Sequence, residues 1–462
     1  MGRGNFTRGL VFKIIIAFII FFISLVFIEG KKVEKFILSS NFGNPLGRNI
    51  DNVDEGFDSA LVLDNIAGGV ISDIGNALFV APDNQVFICG HSFNGQNLDP
   101  ILINIDTDGK LNPNFGKNGI VVIDKVDDIH LFDSNSLYVR DQKIYLIGSY
   151  WQSKGFVARF NYKGDLDISF GQNGIVKISN NQQEIVSLEE IYVDKDHYVY
   201  VVGNREIYPF LLKLDQNGNF DKTFGSEGFL SLQTSLKEEY VIDLIFDNQQ
   251  KMLVAGSGVN PNHPEPNKDV FIIKLNQDGS IDTSFANNGK IIFDYNSQED
   301  QFSDSCIDEN NNLYVAINTE KTYFDIILLK YDQKGDLDTS FGSNGMVLID
   351  NIAGGKTDDI AKSIKTDNKG RIYIAGHSVN SELNSELIVG RINTKGKIDN
   401  SFVKNGFIIV SNIAGGNYAD VALSMDLDKN LNIFVTGFST GKYYPNIPKQ
   451  NTDLIVLKIE NI

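Results

Sequence analysis

From residue 60 onward the chain alternates short apolar runs with clusters of Asn, Asp and Gly, and no stretch carries a helical period over ten residues. Runs such as "RIYIAGH" (371–377), "ELIVGRIN" (386–393) and "GMVLIDN" (345–351) are rich in β-branched and aromatic residues, so each predicts a strand. One strand type recurs seven times: "VFICG" (86–90), "IYLIG" (144–148), "VYVVG" (199–203), "MLVAG" (252–256), "LYVAI" (313–317), "IYIAG" (372–376) and "IFVTG" (433–437).

Between these strands lie six copies of a glycine-rich motif: "GKLNPNFGKNG" (109–119), "GDLDISFGQNG" (164–174), "GNFDKTFGSEG" (218–228), "GSIDTSFANNG" (279–289), "GDLDTSFGSNG" (335–345) and "GKIDNSFVKNG" (396–406). Their Phe residues fall at 115, 170, 224, 285, 341 and 402, at spacings of 55, 54, 61, 56 and 61. That period is too long for most solenoids and suits a propeller blade of about four antiparallel strands. The chain opens on an orphan strand, "ALVLD" (60–64), and closes on "LIVLKI" (454–459) with no strand after it. The pattern predicts an all-β, seven-bladed β-propeller over 61–462, with the N-terminal strand completing the last blade and hiding both sheet edges.

The pattern G-x-[LIF]-[DN]-x-[ST]-F-G-x-x-G, preceded by stretches such as "DIILLKYDQKG" (325–335), resembles the delta-60 repeat, a bacterial repeat assigned to β-propellers of largely unassigned function. The resemblance spans 61–462. It implies a propeller fold and an exported setting, and no reaction. Pro113, Ala286, Val403 and Ile317 depart from the repeat at single joints.

Read physically, the motif is a joint. Its first glycine supplies the positive φ of a tight turn, the Asp three residues before Phe accepts from a nearby backbone N–H, and Phe packs inward. A calcium loop needs a terminal bidentate acid, but Ile120, Ile175, Phe229, Lys290, Met346 and Phe407 follow the last glycine. A phosphate loop needs a helix and usually a lysine there.

Charge narrows the partners. The formal net charge is −18, which disfavours a nucleic acid, whose binding depends on Lys and Arg displacing counterions. Cys89 and Cys306 form no CxxC pair and fit buried free thiols in units 1 and 5, with two blades between them around the ring. Arg3, Arg8 and Lys13 precede or enter an apolar run (14–28) rich in Ile and Phe, followed by "EGKK". Residues 1–30 therefore read as a signal peptide or an uncleaved N-terminal membrane anchor helix, and 31–60 as a linker or irregular lead-in. The expected location is extracytoplasmic, secreted or anchored, with the membrane touched only through that segment.

Candidate chemistry sits on the face opposite the motif, where the connections vary. "SGVNPNHPEPNKD" (257–269), "STGKYYPNIPKQNTD" (439–453) and "SYWQSKG" (149–155) are the variable loops. Trp151, Tyr443, Tyr444 and Tyr150 there are candidate contacts for a protein or carbohydrate partner. "NIAGG" recurs in units 1, 6 and 7, with Asp73, Asp359 and Asp420 four residues past it, and Glu239 and Asp300 hold the matching place in units 4 and 5. These acids either cap backbone amides or ring the channel mouth around a divalent cation such as calcium. His91 and His377, in twin "GHS" stretches, share that face. Asp99, Asp269, Asp325, Asp453 and Glu386 begin the strand before each motif and read as turn caps. Two function classes follow. One is a binding or scaffold module at the cell envelope or outside the cell. The other is a metal-dependent hydrolase or lyase with His91, His377 and Asp359 at the channel mouth.

Overall fold

The computed structural model describes residues 59–462 apart from Val70, 127–128, 151–153, 179–185, Glu265, 442–450 and Ile462. The signal or anchor segment and nearly all of the lead-in therefore lie outside the described residues. Among the described residues no helix is long and apolar enough to cross a membrane.

The repeats fold as antiparallel meanders of four strands. The first comprises Asp73–Val80, Val86–Phe93, Leu98–Ile105 and Ile120–Val122. The succession recurs from Ile129–Arg140 to Ile175–Ile178, Val186–Val193 to Phe229–Ser231, Lys237–Phe246 to Lys290–Phe293, Glu299–Ile307 to Met346–Ile349 and Gly354–Thr366 to Phe407–Val410. The last meander runs Gly415–Leu427, Ile433–Gly441, Thr452–Ile459, and its fourth strand is Ser59–Leu63 from the other end of the chain. Ser59 faces Lys458 and Leu63 faces Leu454, so the orphan strand covers the edge left by the final run.

The "IYIAG" glycine marks a crossing inside its strand. The second strands continue past it to Phe93, Tyr150, Arg205, Val259, Asn380 and Gly441, where the sequence alone reads it as a strand end. Each first strand carries a β-bulge opposite, as at Gly75/Ala77, Val241/Asp243, Ala361/Ser363 and Ala422/Ser424. A Cβ at Gly90, Gly376 or Gly437 would lie 1.9 Å from the carbonyl oxygen of Ile74, Ile360 or Val421, so glycine alone lets the bulged strand pass. Ile317 occupies this place in the fifth meander, and nothing in the structure explains its tolerance there.

Polar side chains near the bulges, on first strands and on the second strands Val199–Arg205 and Met252–Val259, reach the first strand of the next meander. Asn76 donates to Ser134 O, Asn135 to Leu188 O, Asn204 to Val241 O, and Ser303 to Ala361 O. Phe302 N donates to Ser257 Oγ, and Ser363 Oγ to Met425 O. The last meander returns to the first: Val80 N donates to Asp426 Oδ2 over 2.8 Å and Leu78 N to Ser424 Oγ over 3.1 Å.

The core is distributed between neighbours. One apolar cluster joins Phe87 and Leu102 of the first meander to Leu137 and Ile144 of the second, and another joins Phe434 and Leu454 of the last to Ile88 and Ile101 of the first. No single sheet buries both its faces alone, so the sheets stand or fall as a set. The chain is a β-propeller.

Candidate functional site

The motif resolves into a structural joint. In the fifth copy Phe341 N donates to Asp338 O, and Ser340 N and Oγ both donate to Asp338 Oδ1. The other Asp338 oxygen meets Lys330 Nζ at 2.7 Å, on the third strand eight residues earlier. Arg159–Asp167, Lys213–Asp221 and Arg391–Asp399 repeat the pair at 2.8–2.9 Å. The cation also lies over the motif ring, Arg159 at 4.6 Å from Phe170 and Arg391 at 4.8 Å from Phe402. Although burial opposes its charge, Asp167 is held below the usual carboxylate range by Lys143, Ser169 and Arg159. These carboxylates are committed to the fold.

On the opposite face the three "NIAGG" loops are built identically. Asn65 N and Ile66 N donate to Asp73, Asn351 N and Ile352 N to Asp359, and Asn412 N and Ile413 N to Asp420. The next amide, of Ala67, Ala353 or Ala414, donates to Ser92, Ser378 or Ser439 over 2.8–2.9 Å. Burial pushes Asp73 and Asp420 up to about 6, against these bonds, which pull the other way. Glu239 and Asp300 accept from Thr234 N and Tyr295 N in the same manner. Each acid therefore faces its own loop backbone.

His91 and His377 lie in the first and sixth meanders. In each, Nδ1 is buried without a partner. Burial lowers the basicity of both, that of His377 to about 4 with Lys362 adding to the effect. The serine of "GHS" holds the loop amide, and the third such stretch keeps that serine, Ser439, but has Phe438 in place of histidine. Among the described residues no metal-capable cluster contains His91, His377, Asp73, Asp359 or Asp420.

Trp151, Tyr443 and Tyr444 lie outside the described residues. Tyr150 is corrected: it is 8% exposed and packs in the core with Leu146 and Phe156. Its strand runs on through Gly148, so Tyr150 shares the inward side of Ile144 and Leu146. Asp99, Asp269, Glu386 and Asp453 accept from side-chain amides of Asn94, Asn260, Asn380 and Asn451, which in three cases themselves cap the turn backbone. Cys89 and Cys306 are buried and free.

Two polar assemblies escaped the sequence reading. At the ring centre the first strands bring together Glu190, Asp243, Asp304, Asp426 and the cation Lys365, whose Nζ lies 3.8 Å from Asp304 Oδ2. Burial, with Asp304 beside it, pushes Asp243 up to about 8, and burial pushes Glu190 up to about 7. The second assembly is on the loop face. His263 Nε2 stands 3.8 Å from Asp269 Oδ2 and 3.7 Å from Asp294 Oδ2.

Repeated four-stranded sheets, each sharing its core with the next, place the chain in the β-propeller class. Residues 251–285, from the second strand of the fourth meander to the motif phenylalanine, match the family described as a domain of unknown function (DUF5122), beta-propeller, a delta-60-like repeat. No curated protein matches. Solved structures with a similar architecture include a virginiamycin B lyase from Staphylococcus aureus, 10% identical with a TM-score of 0.46, covering 87% of this chain and 99% of its own. A protein from Lactobacillus plantarum is 12% identical at 0.46, covering 74% and 91%, and an ulvan lyase, a polysaccharide lyase, is 10% identical at 0.45, covering 88% and 94%. At these identities and scores none of their activities passes to this chain.

Proposed function

We propose that this chain is an exported β-propeller of seven blades over 61–462 that serves as a binding or scaffold module at the cell envelope or outside the cell. Residues 1–30 are its signal or anchor and 31–60 its lead-in. The contrast between its two faces supports the reading. One face repeats a single eleven-residue joint six times, with its carboxylates tied to lysine, arginine and backbone. On the other face the connection between second and third strands ranges from 206–207 in one meander to 260–267 and 442–451 in others. A constant side and a variable side on one rigid ring is the division of labour of a recognition scaffold. The hydrolase or lyase alternative draws less support, because His91, His377 and Asp359 are each tied up or buried in their own sheets.

The test exchanges 260–267 and 442–451 for two-residue turns and measures binding to cell-wall polysaccharides and isolated surface proteins. Loss of binding with an unchanged melting temperature supports the reading. Undiminished binding by the short-loop variant overturns it.

A further inference from the structure

We propose that His263, Asp269 and Asp294 bind a divalent transition-metal ion, with zinc and manganese the species that their donor set suits. The inference stands independently of the binding-module reading.

The strand ladder fixes two of the donors. Val270 pairs with Phe293 across the third and fourth strands of the fourth meander, so Asp269 and Asp294 lie one step further on, side by side on neighbouring strands. The third donor comes from a loop with restricted freedom. Asn260 N donates to Asn267 O at the loop's base, and Pro261, Pro264 and Pro266 flank His263. The His263 side chain is only 13% exposed.

One donor atom from each residue lies within 4.8 Å of the others. Such spacing leaves a point roughly 2.2–2.8 Å from all three, near the metal–ligand lengths of nitrogen and oxygen donors. The imidazole is meanwhile too far from either carboxylate, at 3.7 and 3.8 Å, for a hydrogen bond. An ordinary His–Asp ion pair would have closed that gap.

A separate observation points to a ligand. Asp269 is fully buried, yet its Oδ1 has no hydrogen-bond partner, and the Oδ1 atoms of Asn267 and of fully buried Asp300 are likewise buried and unpartnered. The other oxygens are committed: Asp269 Oδ2 accepts from Asn260, Asp294 Oδ1 from Ser297 N, and Asp300 Oδ2 from Tyr295 N. Lys268, the adjacent cation, is 3.0 Å from Glu299. A buried carboxylate oxygen left without a donor beside further acids is the situation that a cation relieves. One imidazole with carboxylates favours a borderline ion, whereas calcium and magnesium prefer all-oxygen sets.

The experiment is isothermal titration of the EDTA-stripped full chain with zinc, manganese, calcium and magnesium chlorides. One zinc or manganese ion per chain should bind, and His263→Ala and Asp294→Asn should each weaken it at least tenfold. His130→Ala, at an exposed histidine, should leave it unchanged. Asp294 is exposed and His263 lies in a loop outside the apolar core clusters, and thermal melts check that the variants fold. Absence of a one-site isotherm, or equal affinity in the His263→Ala/Asp294→Asn double variant, overturns the assignment. Calcium binding indifferent to His263→Ala overturns it as well.

Discussion

Asn112 Nδ2 donates to Asn104 Oδ1 over 2.8 Å, at the place where four later repeats set an aspartate against an arginine or lysine. Both members of the pair are neutral in the first repeat, so the departure of "GKLNPNFG" from the motif is compensated within the fold. Asn112→Asp alone should put a carboxylate against a buried amide with no cation and cost about 2–3 kcal/mol. Asn104→Lys together with Asn112→Asp should recover at least about 1 kcal/mol of that. Denaturant unfolding of the four-member cycle measures the coupling, and additive effects would refute the pairing.

The twin "GHS" stretches divide their roles between adjacent residues. Ser378 holds the Ala353 amide, while His377 carries a buried, unpartnered Nδ1. Ser378→Ala should therefore cost about 1–2 kcal/mol by orphaning that amide. His377→Phe, which copies Phe438 of the neighbouring repeat, should be neutral or stabilising. Thermal melts of the two variants check the contrast, which reverses if His377 is what the loop depends on.

The fold was legible because each sheet writes the same strands and the same joint into the sequence, and the missing fourth strand of the last sheet was visible as the orphan "ALVLD". The glycine of "IYIAG" was read as a strand end because sequence shows that glycine is needed but not which carbonyl crosses it. Tyr150 was misplaced for that reason. The His263 cluster was illegible because His263 comes from a loop that occurs once, Asp269 reads as one of the recurring strand-start caps, and the two lie 31 and 25 residues before Asp294 along the chain, next to which only the Val270–Phe293 pairing brings Asp269. Glu190, Asp243, Asp304 and Asp426 were hidden too, because bulges decide which first-strand residues face the ring centre.

Ring closure gives a separable prediction. Leu61 and Leu63 pack against the cluster containing Leu454, Val456 and Phe434, from a strand joined to its sheet only through Thr452–Ile459. Leu61→Asp should cost about 2–4 kcal/mol, combining lost apolar burial with a charge facing that cluster. Removing residues 1–64 should also uncover the Thr452–Ile459 edge and drive self-association, read by light scattering as mass rising with concentration. A monodisperse, equally stable truncated chain would show that the edge needs no cover.

The acids at the ring centre set the pH dependence. An aspartate in the unfolded chain ionises near its ordinary 3.8, whereas Asp243 in the fold keeps its proton up to about 8 and Glu190 up to about 7. Between pH ~4 and ~8 the folded chain thus holds protons that the unfolded chain has released, so stability falls as pH rises, by up to about 1.4 kcal/mol per pH unit for each such group. Asp300 and Asp453, pushed up to about 7 chiefly by burial, act in the same direction. The joint aspartates act oppositely. Asp338 and Asp399, held down by their serine and cation partners, lose their contribution only as pH drops below ~4. The melting temperature should therefore be highest near pH 5 and decline toward pH 8 and toward pH 3. Asp243→Asn removes the largest of the raised carboxyls and should flatten the alkaline side while leaving the acid side unchanged. A melting temperature that climbs from pH 5 to pH 8 would mean that Lys365 alone neutralises the cluster.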